Sequence, residues 1–261
     1  MSAVAQAKRI VVKVGTSTLT YENGKLNLRR TEELCKVLSD LHNSGLEVVL
    51  VSSGAVGVGM GKLGIKERPT ETEKKQAIAA VGQCELMFMY DKLFGEYNCM
   101  VAQVLLTADV TASENSKRNV ENTFRELLNM DIIPVVNEND TVSIDELDGP
   151  HFGDNDTLSA VVAKLVGADL LIILTDIDGL YDTDPRENPN AKHIPYVTDE
   201  IKALAGDAGT NRGTGGMVTK IRAAQIANEA GISCCVMSGT HPKNLYQLLD
   251  GVQMGTTFAA L

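Results

Sequence analysis

The sequence predicts an α/β protein: a three-layer α/β/α sandwich around a mainly parallel, open sheet. Three observations carry this. Short aliphatic runs alternate with segments of helical spacing along the chain. The runs are apolar throughout, which marks strands covered on both faces. The residues just after four of the runs are small or polar, and in such sheets ligands bind beyond the carboxyl ends of the strands.

The first run, Ile10–Val14, ends on Gly15-Thr16-Ser17. In the segment that follows, Leu34, Val37, Leu38 and Leu41 fall at i, i+3, i+4 and i+7 and share one helical face. The second run, Glu47–Val51, leads into Ser52-Ser53-Gly54-Ala55. Leu86, Met89 and Leu93 define a helix before the third run, Met100–Leu105. Val120, Phe124, Leu127 and Leu128 do the same before Ile132–Val136, which ends on Asn137-Glu138-Asn139-Asp140. Leu158, Val161, Val162 and Leu165 belong to a helix opening near Asn155, and Leu170–Leu174 with Thr175-Asp176 follows. Met217, Ile221, Ala224 and Ala227 start the helix before the last run, Ser233–Val236. Tyr181–Pro195 reads as an ordered excursion, and the glycine-rich stretch Gly206–Gly216 as a mobile loop. A length of 261 residues suits one domain, with an N-terminal lobe of about 1–167 and a C-terminal lobe of about 168–261.

Composition narrows the function classes. Hydrophobic residues at 44% and charged residues at 22% exclude extended disorder. Twenty-four Lys and Arg against 34 Asp and Glu give a formal charge of −10, so neither nucleic acid nor an anionic membrane is an expected partner. Five cysteines without a Cys-x-x-Cys pair read as small core residues in a reducing compartment. The N-terminus shows no charged-then-apolar leader, and the longest apolar runs are strand-sized. The expectation is a soluble cytoplasmic protein.

Several constellations carry chemistry. Lys13 interrupts an apolar strand before a glycine turn with two hydroxyls, which aims a cation at phosphate; an edge-facing lysine is the plain alternative. Ser53-Gly54-Ala55 opens a helix, where unpaired N–H groups favour an anion, or where serine simply caps. Gly59-Met60-Gly61-Lys62-Leu63-Gly64 matches G-x-G-x-x-G, but lies too far past the strand for a dinucleotide turn. Asn137-Glu138-Asn139-Asp140-Thr141 and Gly153-Asp154-Asn155-Asp156-Thr157 cluster amides and carboxylates suited to an ammonium group or a hydrated Mg2+. The aspartates of Thr175–Asp184 do not fit an EF-hand and read better as a purine- and ribose-binding turn. In Gly213-Thr214-Gly215-Gly216-Met217-Val218-Thr219-Lys220 the lysine falls in a first helical turn, where it is unfavourable unless an anion is present. The four histidines fit no catalytic spacing and read as surface or loop residues.

Taken together, Val11–Ser17, Ser53-Gly54-Ala55, Asn137–Asp140, Gly153–Asp156, Thr175-Asp176 and Gly213–Met217 with Lys220 resemble the amino acid kinase family, over essentially all 261 residues. Within it the resemblance is to the glutamate-phosphorylating branch, because relatives acting on aspartate, carbamate or N-acetylglutamate carry a double glycine where Gly15 is followed here by Thr16. The resemblance implies the amino acid kinase fold and ATP-dependent phosphorylation of the L-glutamate γ-carboxylate, opening proline biosynthesis. It implies catalytic roles for Lys13, Lys220, Asp154 and Asp156. It implies glutamate binding by Ser53, Gly54, Ala55, Asn137, Asp140, Asp154 and Asn155. ATP falls to Lys13, Gly15, Thr175, Asp176, Thr214, Gly215, Gly216, Met217, Val218, Thr219 and Lys220, with Mg2+ as cofactor and no metal ligand assigned. It further implies a homo-oligomer, dimer or tetramer, and L-proline as a feedback inhibitor. The chain stops at Leu261, so the RNA-binding-like (PUA) domain that many bacterial members carry is expected to be absent.

The chemistry agrees with that implication. A glutamate side chain, with a pKa near ~4.3, is already ionised at neutral pH, so the nucleophile needs no base. It needs relief of anion–anion repulsion, which two lysines and Mg2+ supply. The rivals are another member of the family acting on N-acetylglutamate, aspartate or UMP, a non-catalytic sensor of an amino acid or nucleotide, and a nicotinamide-dependent oxidoreductase.

Overall fold

The structure is a computed structural model that describes residues 3–21, 23–107, 110, 113–142, 155–183, 185, 187–197 and 215–260. Its strands are β1 (Arg9–Val14), β2 (Glu47–Ser52), β3 (Met100–Leu106), β4 (Ile132–Glu138), β5 (Leu170–Thr175), β6 (Leu180–Tyr181), β7 (His193–Ile194), β8 (Ser233–Ser238) and β9 (Thr256–Phe258). Its α-helices are α1 (Thr16–Leu19), α2 (Leu28–Asn43), α3 (Ala55–Leu63), α4 (Thr72–Gly95), α5 (Glu114–Asn129), α6 (Asn155–Val166), α7 (Gly215–Glu229) and α8 (Asn244–Leu249). All six expected strands form, each running at most two residues further at an end than the apolar run that announced it. Seven strands make one sheet in the order β3-β4-β2-β1-β5-β8-β9. All pairings are parallel except β8–β9, and β6 and β7 form a separate small hairpin within the excursion after β5.

Helices cover both faces, as the continuous apolar strands require. Ile10, Val12 and Val14 point into a core with Leu34 and Leu38 of α2, Leu86, Tyr90 and Phe94 of α4, and Leu245 and Leu248 of α8. Val11 points the other way, into a core with Phe124 of α5, Leu158 and Val162 of α6, and Ala223, Ala224 and Ala227 of α7. Strand side chains alternate, so Lys13 shares the face of Val11 and is directed toward α6. β1 lies between β2 and β5, where the strand order reverses, and at such a point a crevice opens beyond the carboxyl ends.

The helix α3 is assembled around glycines. Gly54, at its N-cap, has φ 103°, a left-handed value that favours glycine. A Cβ at Gly57 would press on the Thr16 methyl, one at Gly59 would enter the Ile78 carbonyl of α4, and one at Gly61 would enter Gly24. From α4, Gly82 closes on the Ala55 carbonyl. Thus two glycines of the G-x-G-x-x-G match, Gly59 and Gly61, serve close packing inside a helix, and the third, Gly64, ends that helix in the left-handed region at φ 69°.

Several expectations are corrected here. On α4 the buried stripe is Ile78, Ala79, Gly82, Leu86, Tyr90 and Phe94, while Met89 and Leu93 are only partly buried. Of the apolar residues noted on α5, Phe124 alone is buried. Four cysteines are core residues, but Cys84 is exposed. His42 is not a surface group: it lies in the last turn of α2 with its side chain only 8% exposed and meets Asp131 at 3.2 Å. Most of the expected mobile loop, Gly206–Gly216, lies outside the described residues. Among the described residues no helix is long and apolar enough to cross a membrane.

Candidate active site

The carboxyl ends of β1, β2, β4 and β5 surround a cavity of about 440 Å³. Each strand delivers residues at or just past its carboxyl end. Lys13 and Gly15 come from β1, Ser53, Gly54 and Ala55 from β2 and the start of α3, and Asn137 and Asp140 from β4. Thr175 and Asp176 come from β5, Asn155 from the first turn of α6, and Lys220 from α7.

At one side a single carboxylate holds both lysines. Asp156 is completely buried at the second position of α6, where the helix N-terminus favours negative charge. Its Oδ1 lies 2.7 Å from Lys13 Nζ, and its Oδ2 lies 3.1 Å from Lys220 Nζ. Thr219 Oγ1 donates to the same Oδ2 at 3.1 Å, and Lys220 Nζ also donates to the Gly216 carbonyl at 2.9 Å. Taken alone, these two ammonium groups and one carboxylate carry one net positive charge. The lysine side chains are 7% and 12% exposed, so this charge acts with little screening. Lys220 lies in the second turn of α7, not the first, because the helix begins at Gly215. The conflict with the helix dipole dissolves, since the lysine's anionic partner belongs to α6.

A chain of amides supports the other side. Asn137 Nδ2 donates to Gln83 Oε1 of α4 at 2.8 Å, and Asn137 Oδ1 accepts from Asn155 Nδ2 at 3.2 Å. Asn155 Nδ2 also donates to Ser53 Oγ at 2.8 Å. This leaves Asn155 Oδ1 buried and without a hydrogen-bond partner among the described residues, an acceptor suited to a donor on a ligand. Behind it, the Ser52 and Tyr90 hydroxyls meet at 2.8 Å, and burial pushes the Tyr90 phenol well above its ordinary pKa.

Comparison with known proteins decides the family. The amino acid kinase family profile matches residues 8–238. The glutamate 5-kinase of Clostridium perfringens is 58% identical over 262 residues, covering 99% of this chain and 97% of that one. This chain belongs to the amino acid kinase family. The glutamate 5-kinase of Listeria innocua is 52% identical, with 99% and 95% covered. The fold agrees with solved structures of the family's shape: carbamate kinase from Giardia lamblia bound to AMP-PNP superposes with a TM-score of 0.67 at 16% identity, covering 98% of this chain and all of that one.

Within this amino acid kinase family member not every expected site residue is among those described on the cavity wall. Asp154 and Thr214 lie outside the described residues. Gly216, Met217, Val218 and Thr219 do not line the cavity. Met217 packs against the core, Val218 is half exposed, and Gly216 and Thr219 act by fixing Lys220 and Asp156. Sequence reading assigned no role to Arg68, Met60 or Gln83, yet the first two line the cavity and the third anchors Asn137. A glutamine after Ile78-Ala79-Ala80-Val81-Gly82 was the available signal, since a polar residue on an apolar stretch needs a partner. Among the described residues no cluster of three or more His, Cys, Asp or Glu side chains is arranged to hold a metal. The carboxylates of Asp140 and Asp176 on the cavity wall are hard oxygen donors of the kind Mg2+ takes, one or two at a time alongside phosphate and water.

Proposed function

We propose that this protein transfers the γ-phosphoryl group of ATP to the γ-carboxylate of L-glutamate, giving L-glutamyl 5-phosphate and ADP, the first step of proline biosynthesis. The observation that carries this reading is the pair of lysines joined on Asp156 at the edge of a cavity of amides and carboxylates. The 58% identity to a glutamate 5-kinase supports the substrate.

In this reading a γ-carboxylate oxygen attacks the terminal phosphorus as the bond to the ADP oxygen breaks. The carboxylate is ionised already, and no proton has to move. Lys13 and Lys220 offset the charge that accumulates on the transferring group, and Asp156 keeps them aimed. The N-terminal lobe, 1–167, holds glutamate through Ser53, Gly54, Ala55, Asn137, Asp140, Asp154 and Asn155. Asp140 and the Asn155 Oδ1 acceptor suit the substrate ammonium, which selects free glutamate over its N-acetyl form. The C-terminal lobe, 168–261, holds ATP through Thr175, Asp176 and the segment Thr214–Lys220, with Gly15 of the first lobe beneath the phosphates. Mg2+, when bound, would neutralise charge on the phosphate oxygens, and Asp176 is the cavity-wall carboxylate that would hold it in this assignment. L-proline as a feedback inhibitor and assembly into a dimer or tetramer belong to the same proposal.

The test is ADP release from ATP and Mg2+ with hydroxylamine present to trap an acyl phosphate. L-glutamate, N-acetyl-L-glutamate, L-aspartate and UMP are compared, each with and without proline. Glutamate-dependent ADP with hydroxamate formation is expected. Turnover only with another substrate overturns the substrate and keeps the lysine roles. No turnover with any of them favours a sensor of amino acid or nucleotide.

A further inference from the structure

We propose that Arg68 sets the substrate's requirement for an α-carboxylate by pairing with that group directly. The inference rests on the reading of the cavity as a glutamate site. A dicarboxylic amino acid brings two negative charges at its two ends. The γ-carboxylate and the phosphoryl group it meets draw on Lys13 and Lys220, which already share Asp156 at 2.7 and 3.1 Å. Those three groups offer one net positive charge, and transfer uses it.

The α-carboxylate therefore needs another cation. Among the described residues on the cavity wall, the only remaining one is Arg68. It lies between α3 and α4, in the segment 64–71. Among the described residues it makes no ion pair and no hydrogen bond, unlike both lysines. With Thr16, Ser17, Gly57 and Met60 it lines both this cavity and an adjoining one of about 1460 Å³, so it stands at the boundary between them. Ala55 and Val56, which open α3, line the same cavity and add backbone N–H donors at a helix start. A guanidinium matches a carboxylate with two parallel N–H donors.

The test compares three ligands that differ by one group each. L-Glutamate carries all three charged groups, 4-aminobutyrate lacks the α-carboxylate, and glutarate lacks the ammonium. KM and kcat are measured for glutamate, and inhibition constants for the other two against glutamate, in wild type, Arg68→Met and Arg68→Lys. In Arg68→Met the glutamate KM and the glutarate constant are expected to rise about 10- to 100-fold, the range for a charge-assisted hydrogen bond. The glutamate kcat is expected to move by less than about threefold, since the lysines are untouched. The 4-aminobutyrate constant is expected to stay at its wild-type value, and Arg68→Lys to recover part of the glutamate loss. Equal weakening of all three ligands, or of none, overturns the assignment; the second result would place Arg68 with the adjoining cavity. Failure of the wild type to phosphorylate glutamate would instead overturn the function on which this rests.

Discussion

Replacing Gly82 with alanine is expected to damage the site from below without touching it. A Cβ there would lie 1.8 Å from the Ala55 carbonyl oxygen and 2.5 Å from the Gly59 amide nitrogen. Real Cβ atoms essentially never come closer than 3.0 Å, so α3 and α4 have to part by the difference between 3.0 and 1.8 Å, about 1.2 Å. Both partners are backbone, so no side chain can swing away. Ala55 opens α3 and lines the cavity between Gly54 and Val56. Misplacing a substrate-positioning element by about 1 Å costs on the order of 10²-fold in rate. The overpacking itself costs about 1–3 kcal/mol, which a domain of this size tolerates. The assay is kcat/KM for glutamate by ADP release, beside a thermal melt. The variant is expected to fold and to lose about 100-fold in kcat/KM. Gly95→Ala is the control, because a Cβ at the last residue of the same helix meets nothing within 4 Å. It is expected to keep full activity and to gain up to about 1 kcal/mol of stability. A folded Gly82→Ala enzyme with wild-type efficiency would refute this reasoning, as would an equal loss in Gly95→Ala.

Other perturbations probe separate parts of the molecule. Lys220→Ala is expected to lower kcat by about 10²–10³ while changing glutamate binding little, and unchanged turnover would remove its role. Asp156→Asn strips Lys13 and Lys220 of their shared buried charge, and a urea melt is expected to show a loss of about 3–5 kcal/mol. Burial pushes the Cys235 thiol from 9.0 up to about 12, and raises Cys35, Cys234 and Tyr90 as well. These groups stay protonated in the fold while the unfolded chain ionises, so their stabilisation is complete below the unfolded thiol value of 9.0 and is lost as pH rises toward the folded values. Urea midpoints at increasing pH should fall above that point, and alanine at positions 234 and 235 should flatten the fall. Of the five cysteines only Cys84 is exposed, so one thiol should react quickly with a chromogenic disulfide and the rest only on unfolding.

Much of the architecture was legible because local signals and the fold agree. Continuous aliphatic runs such as Leu170–Leu174 can satisfy their side chains only when both faces are covered, and β5 is buried along its whole length. The short edge strand Thr256–Phe258 carried no such signal, since three residues define no period. The site was legible as a set of strand-end clusters, but not as a wiring diagram. That Lys13 and Lys220 meet on one carboxylate depends on which face of β1 carries the lysine and on how α7 packs on α6. Neither fact can be read from spacing along one element. The shift of Lys220 to a second helical turn came from the ±2-residue uncertainty of helix starts in glycine-rich sequence. Arg68 escaped notice for a related reason: an arginine in a polar loop looks like solvated surface until a cavity wall is placed beside it.

The glycines of α3 also bear on how the site opens and closes in solution. A nine-residue helix is shorter than the ~12–15 residues at which isolated helices become even marginal in water. Each interior glycine at 57, 59 and 61 removes about 1 kcal/mol relative to alanine. The helix therefore exists by being clasped between Thr16, Ile78 and Gly24, and its backbone amides should exchange with solvent through a small local opening rather than through global unfolding. Substrate bound at its first turn would hold that opening shut. Amide exchange across 55–63, slowed by ligand while the amides of β1 and β5 stay as they were, would report occupancy of the cavity from an element that cannot keep its shape alone.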